Sequence, residues 1–251
     1  MIHGDFMLEQ KVIKQKLHHF FQTVHVVETI TSTHLFIKEN LKIVKNGDVM
    51  LAREQQSGIG TQGRVFFSPK DKGIYCSFCL DINRLPLVPT LLPIVVGIAI
   101  CDVLDAHYKI KASIQWVNDV IINHQKVAGV LCEQVGTMMI VSFGINVFEA
   151  QYPVSIRSKS THVSFHHNMV NINDLTAAVL NQIIEILTNK KTSQIIDLFN
   201  QYHDQTKLHI RIDDEIKLVS VLTIDEAGRL IVQDSKQQKI ILYSANQIVK
   251  D

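Results

Sequence analysis

The sequence predicts an α+β fold, a mixed β-sheet flanked by helices and followed by a small β-barrel-like module. Two observations predict it. Up to residue 202, segments with helical apolar spacing are interleaved with strand-like runs. From Leu208 the texture changes to short alternating strands separated by turns. The length of 251 residues allows a full core, in one large domain or one large and one small. The break near Asp204-Gln205-Thr206 divides the chain into residues 1–205 and 206–251.

Residues 8–23 carry apolar side chains at helical spacing (Leu8, Val12, Leu17, Phe20, Phe21) with polar residues between. Residues 24–29 read as a strand, and Thr31 or Ser32 can cap a helix reaching about Asn40. Residues 41–44 and 49–53, joined by Lys45-Asn46-Gly47-Asp48, read as a hairpin, because Asn-Gly suits a tight turn. Strands follow at 73–80 and 110–115, either side of an apolar helix over 91–106. A second hairpin joins 120–122 to 127–133 through Asn123-His124-Gln125-Lys126, and a further strand runs over 138–143 into Gly144-Ile145-Asn146-Val147. Residues 149–169 read as irregular, and helices follow from Asn173-Asp174 to Thr188 and over 193–202. The late module has strands at 208–212, 216–224, 230–233 and 239–243, with turns at Asp213-Asp214 and Glu226-Ala227-Gly228.

Bulk properties exclude several classes. A net charge of +1 gives no basic footprint for nucleic acid. The N-terminus lacks a basic region followed by an apolar core, and the apolar run over 91–106 is expected to be too short to span a bilayer. The expected location is the cytoplasm. Cys76 and Cys79 fall three apart on one expected strand and so point to opposite faces, which argues for buried free thiols rather than a shared metal.

The stretch from Gln55 to Pro69 concentrates three glycines, Gly58, Gly60 and Gly63, ahead of Arg64. Such a loop is either an anion cradle of backbone N–H groups or a mobile surface loop. Gly58, Gly60 and Gly63 match the dinucleotide spacing, but no helix follows them, and no Lys-Ser/Thr pair follows Gly63. A second constellation is Gln115-Trp116-Val117-Asn118-Asp119, followed by Lys126-Val127-Ala128-Gly129-Val130-Leu131-Cys132-Glu133. Asp119 can orient a metal–phosphate complex and Lys126 can meet a phosphate or carboxylate as a point charge. Taken singly, Asn-Asp is also ordinary turn chemistry and Lys126 an ordinary solvated turn residue.

Together these stretches resemble the biotin–protein ligase family. The glycine loop with Phe67-Ser68-Pro69 is similar to the family's Gln-x-x-Gly-Arg-Gly-Arg-x-Gly-Arg…Ser-Pro. Gln115 to Asp119 resembles Lys-Trp-Pro-Asn-Asp, and Lys126 to Glu133 resembles Lys-x-Ala-Gly-Ile-Leu-x-Glu. Gly144 to Val147 matches Gly-Ile-Asn-Val, and Ser32-Thr33-His34 stands at the family's Ser-Thr-Asn. The resemblance implies a catalytic domain of the class II aminoacyl-tRNA synthetase-like kind with a small SH3-like barrel behind it. It implies ATP-dependent attachment of biotin, through biotinyl-5′-AMP, to a lysine of a biotin carboxyl carrier domain, with ATP, Mg²⁺ and biotin as the small molecules. Neither nucleic acid nor membrane is an expected partner, and a homodimer stays open.

Carried over residue by residue, the resemblance gives Ser32, Thr33, Gln55, Gly58, Lys126 and Gly129 to biotin. It gives Gly60, Thr61, Arg64, Trp116, Asn118, Asp119 and Asn146 to the nucleotide, and Asp119 to Mg²⁺. Lys126 and Arg64 are the implied catalytic pair. Ile59 and Thr61 stand where the family has arginines, Gln115 where it has lysine, Val117 where it has proline and Ser142 where glycine is usual. The missing positive charges predict weaker retention of the adenylate. With about thirty residues ahead of Ser32, the sequence predicts a ligase without the helix-turn-helix of the family's repressor members. The rivals are a lipoate or octanoate ligase or transferase of the same fold, a non-catalytic relative, and a structural barrel scaffold.

Overall fold

The computed structural model describes residues 7–204, 207–212 and 215–249. The expected boundary at 205/206 and the turn at Asp213-Asp214 lie outside these residues. A seven-stranded mixed sheet organises the first part, in the order β1-β2-β3-β7-β6-β5-β4. Its strands are β1 (Val24–Ile30), β2 (Val49–Gln55), β3 (Gly73–Asp81), β4 (Ser113–Gln115), β5 (Asp119–Ile122), β6 (Gln125–Val135) and β7 (Met138–Asn146). β1 and β2 are parallel, and the other neighbours are antiparallel.

The parallel pair explains one departure from expectation. Parallel neighbours need a crossover, and α2 (Thr33–Glu39), capped by the Ser32 hydroxyl, supplies it. Residues 41–44 therefore form turns rather than the first arm of a hairpin, because both edges of β2 are taken by β1 and β3. The Asn46-Gly47 turn is real: Gly47 has φ +84°, and a Cβ there would sit 2.6 Å from the Phe20 carbonyl oxygen. It leads the crossover back into β2. Leu41 and Val44 pack against a small cluster of Ile37, Met50, Cys79 and Ile140.

On the opposite face lies the main core, built on α3 (Leu92–Tyr108) and α6 (Ile172–Asn189). With the turn before it, the apolar helix spans Pro89–Tyr108, twenty residues, so length alone does not keep it out of a bilayer. Its packing explains its apolarity, since most of α3 is buried in the main core. Cys76 joins this main core while Cys79 joins the small cluster, so the two thiols do lie on opposite faces.

The first helix is shorter than its periodicity suggests. α1 (Gln10–Lys16) ends where Asn181 of α6 donates to the Lys16 carbonyl and accepts from the His18 amide. The following Phe21 packs edge-to-face on Phe78 at 5.6 Å. In the second hairpin Asn123 and His124 both have positive φ, giving a two-residue turn that places Lys126 inside β6. β4 begins only at Ser113. Two short helices, α4 (Val154–Arg157) and α5 (Val163–His166), interrupt the segment read as irregular.

After α7 (Thr192–Tyr202) come β8 (Lys207–Ile212), β9 (Glu215–Ile224), β10 (Leu230–Gln233) and β11 (Lys239–Leu242). They form an antiparallel sheet in the order β11-β10-β9-β8, as in a small SH3-like module. Its buried residues, among them Leu230 and Val232, are continuous with the main core. At the contact, Gly228 has φ +74°, a conformation that strains any other residue, and a Cβ there would press at 3.2 Å on both Ile94 and Leu91.

Candidate active site

One cavity of about 240 Å³ collects most of the residues singled out by sequence. It sits on the sheet face opposite α3 and α6. α2 lies at one end, β6 and β7 form its floor, and the glycine loop arches across it. Its walls include Ser32, Thr33, Gln55, Gly60, Thr61 and Arg64. Asn118, Asp119, Lys126, Gly129 and Asn146 complete that set.

The end under α2 is closed and hydrogen-bonded. Gln55 accepts from the Thr33 amide at 2.9 Å and from its hydroxyl at 3.1 Å, and donates to Ser68 Oγ at 2.9 Å. Thr33 Oγ1 also lies 2.8 Å from Ser77 Oγ, which lies 2.8 Å from Ser142 Oγ. Ser32, Thr33, His34, Ser77 and Ser142 are all buried. Such a network is rigid because every member fixes its neighbour.

The other end carries the charges. Lys126 Nζ lies 2.6 Å from Asp119 Oδ1. The lysine is one-third exposed and the aspartate mostly buried. Gly129 makes room for the lysine itself, since a Cβ there would stand 2.9 Å from Lys126 Nζ. The backbone of Lys126 is clamped: its amide donates to the Lys159 carbonyl and its own carbonyl accepts from Thr161. Asn146 ties this clamp by donating to the Thr161 carbonyl at 3.1 Å. Asn118 donates to the Val130 carbonyl at 3.0 Å, fixing the turn that presents Asp119.

The loop is folded back as a narrow hairpin. The Gly60 amide bonds the Arg64 carbonyl at 2.7 Å and the Phe66 amide bonds the Gly58 carbonyl at 2.8 Å. Arg64 is exposed at the cavity mouth and donates to Gln62 at 2.9 Å. Gln62 in turn contacts Asn246 of the C-terminal module. Gly58 does not line the cavity. A Cβ there would meet the Phe66 carbonyl at 2.5 Å and Ser68 Oγ at 2.6 Å, so this glycine serves closure of the loop on itself rather than approach of a ligand.

Trp116 also stands apart from the expected nucleotide set. It is 5% exposed, in the main core, and its indole N–H donates to the Gly228 carbonyl at 2.9 Å. An indole gains most by burying its area while satisfying its one donor, and the contact with the C-terminal module provides both. Conversely, the cavity includes residues that the motif reading did not assign: His34, Phe66, Ser142 and Tyr152. The Phe66 ring rests on Gly144, where a Cβ would lie 2.3 Å from it. An aromatic pair inside a glycine loop was a visible signal for Phe66. Tyr152 carried none, since only the fold brings it near; burial raises its hydroxyl pKa to about 12.

Among the described residues no group of three or more His, Cys, Asp or Glu side chains could hold a metal alone.

Comparison with known proteins gives a consistent picture. Residues 25–147 match the model of the biotin/lipoate A/B protein ligase family. The bifunctional ligase/repressor BirA of Escherichia coli is 31% identical over 130 residues, which is 50% of this chain and 40% of that protein. The chloroplastic biotin–protein ligase 1 of Arabidopsis thaliana is 22% identical over 234 residues, 85% of this chain and 63% of that protein. The chain thus spans two fifths to two thirds of the length of these relatives. A solved biotin protein ligase from Aquifex aeolicus, in complex with biotin and ATP, superposes with a TM-score of 0.79 at 22% identity, covering 91% of this chain and 98% of that one. At that identity the likeness shows the fold. Residues 25–147 of this chain thus match the biotin/lipoate A/B protein ligase model, and its fold is shared with a solved biotin protein ligase.

Proposed function

We propose that this chain activates biotin with ATP and transfers it to a lysine of a biotin carboxyl carrier domain. The observation that carries the reading is the Lys126 ammonium, braced by Asp119 in the same cavity as the Thr33–Gln55 network. In the first step a carboxylate oxygen of biotin bonds to the α-phosphorus of ATP and the bond to pyrophosphate breaks. Lys126 offsets the negative charge that accumulates there, and its preorganisation means no reorientation is needed during the reaction. In the second step the carrier lysine's amine attacks the acyl carbon, AMP departs and the amine loses a proton. Thr33 and Gln55, with Ser32 beside them, would hold the acid's ring, and Gly60, Thr61, Arg64, Asn118 and Asn146 would surround the nucleotide. Asp119 is the residue that would hold a Mg²⁺ together with the nucleotide phosphates, and that ion would add neutralisation of phosphate charge.

The same reading divides the chain into a catalytic domain, 1–205, and an SH3-like barrel, 206–251, in a cytoplasmic enzyme. The test is direct. The protein is incubated with ATP, Mg²⁺, a carrier domain and either biotin or lipoate, and the carrier is weighed. A gain of one biotinyl group that vanishes in Lys126→Ala is the expected result. A lipoyl gain would move the chain to the lipoate side of the family, and no gain with either acid would make it a non-catalytic relative.

A further inference from the structure

Five polar contacts run in series along the cavity floor. Glu133 Oε2 lies 2.8 Å from His34 Nε2, and His34 Nδ1 lies 2.8 Å from Ser142 Oγ. Ser142 Oγ to Ser77 Oγ and Ser77 Oγ to Thr33 Oγ1 are each 2.8 Å, and Thr33 Oγ1 lies 3.1 Å from Gln55 Oε1. Each contact needs one hydrogen. Gln55 Oε1 supplies none, and its orientation is fixed because it also accepts the Thr33 amide. Glu133 supplies none either: its bond to Lys38, and then its bond to His34, hold its carboxyl below the usual range, so it is ionised. Three hydroxyls give three hydrogens. The remaining two are the two N–H groups of a protonated imidazole. A shortfall would leave a buried polar contact unmade, which is costly.

We propose that His34 is held as the imidazolium and, together with Ser142, is a positioning residue for the acid substrate. With both ring nitrogens protonated, the hydroxyls donate in one direction, from Ser142 through Ser77 and Thr33 to Gln55. Thr33 and Ser142 then turn lone pairs rather than protons toward the cavity they line. A floor of acceptors suits a ring that carries N–H donors, such as biotin's ureido ring, and offers nothing specific to a dithiolane, which has none. The inference rests on the biotin reading above. The two positions depart together from the family's asparagine and glycine, and here they touch.

The groups around the ring are few. Glu133 comes from β6, Lys38 from α2 and the Ser142 hydroxyl from β7. β2 and β3 add uncharged Met50 and Cys79 beneath α2, the thiol pushed up to about 12 by burial. Lys126 and Asp119 line the same cavity as a mutually neutralising pair.

The experiment uses the full chain with ¹⁵N-labelled histidine, the His34 signals being assigned by their loss in His34→Asn. Biotin affinity is measured by calorimetry in a series from about pH 6 to about pH 9. Both His34 nitrogens should carry hydrogen at about pH 7. Biotin affinity should fall about tenfold across the series, the effect of one lost hydrogen bond. In His34→Asn and in the milder Ser142→Ala, which cuts the chain at one hydroxyl, the profile should be flat. A neutral imidazole at about pH 7, or an unchanged slope in Ser142→Ala, overturns the positioning role while biotin binding leaves the ligase reading intact. Failure of the wild-type protein to bind biotin at any pH overturns the ligase reading, and this proposal with it.

Discussion

The two ends of the cavity are built on different principles. Under α2, buried hydroxyls, an amide and an imidazole bond one another in series, rooted in a helix and three adjacent strands. At the loop end, one ion pair and one exposed arginine stand in for the several charges of related loops. The first arrangement selects by shape and donor pattern, because a wrong partner leaves buried groups unpaired. The second acts by charge, which water and salt weaken at its exposed positions. On the proposed function, ring recognition would be preorganised in the core, while phosphate recognition would depend on a loop that must hold its own form.

Substitutions can break or sharpen this contrast. The largest effect is expected at the junction of the two ends. Lys126→Ala should lower the rate of adenylate formation by roughly 10²–10³-fold, the cost of removing one preorganised charge-stabilising group, as read from pyrophosphate release at saturating biotin. At the closed end, Gln55→Ala leaves the Thr33 amide and hydroxyl without their acceptor. Calorimetry should show biotin affinity weakened by about 1.5–3 kcal/mol, with little change in ATP affinity. At the loop end, Ile59→Arg with Thr61→Arg adds cations where none stand, and should slow adenylate dissociation about tenfold in stopped-flow release. An unchanged off-rate would sink the idea that the missing arginines limit retention.

Gly58→Ala should act on the loop and on the Gln55–Ser68 contact against which it closes. Its new methyl would meet the Phe66 carbonyl at 2.5 Å, so the hairpin cannot close as it stands. Limited proteolysis should cut the loop faster, with the melting temperature shifted by no more than a few degrees. The smallest effect concerns pH. Glu133 has a depressed carboxyl pKa, so its contribution to stability is present above the ordinary carboxylate value and is lost as pH falls through its lowered value. Glu133→Gln should flatten that acid limb of the melting profile slightly, since the carboxylate is about one-third exposed.

Much of the fold was legible from local chemistry. A cap at Thr31 or Ser32, a helix start near Asn173-Asp174 and a turn within 123–126 are written in residues whose preferences act within a few positions; the structure caps with Ser32 and Asn171 and turns at Asn123-His124. The misreadings all required a distant partner. The apparent hairpin at 41–53 gave way to a crossover because β1 and β3 claim both edges of β2. The first helix ends early because Asn181 meets its last turn.

The candidate site divides the same way. By itself the sequence determined which residue types were available: a glycine loop closed by Ser-Pro, an Asn-Asp pair, and Lys126 three residues before Gly129. Motif spacing carries such information because ligand chemistry fixes residue types. Only the tertiary structure decided what those residues face. It put Trp116 against the C-terminal module, turned Gly58 toward its own loop, and joined His34 of α2 to Ser142 of β7 across 108 positions of sequence. Those contacts follow from which strands pair and which face α2 covers, and a side chain's partner across a sheet is set by register rather than by its neighbours in the chain.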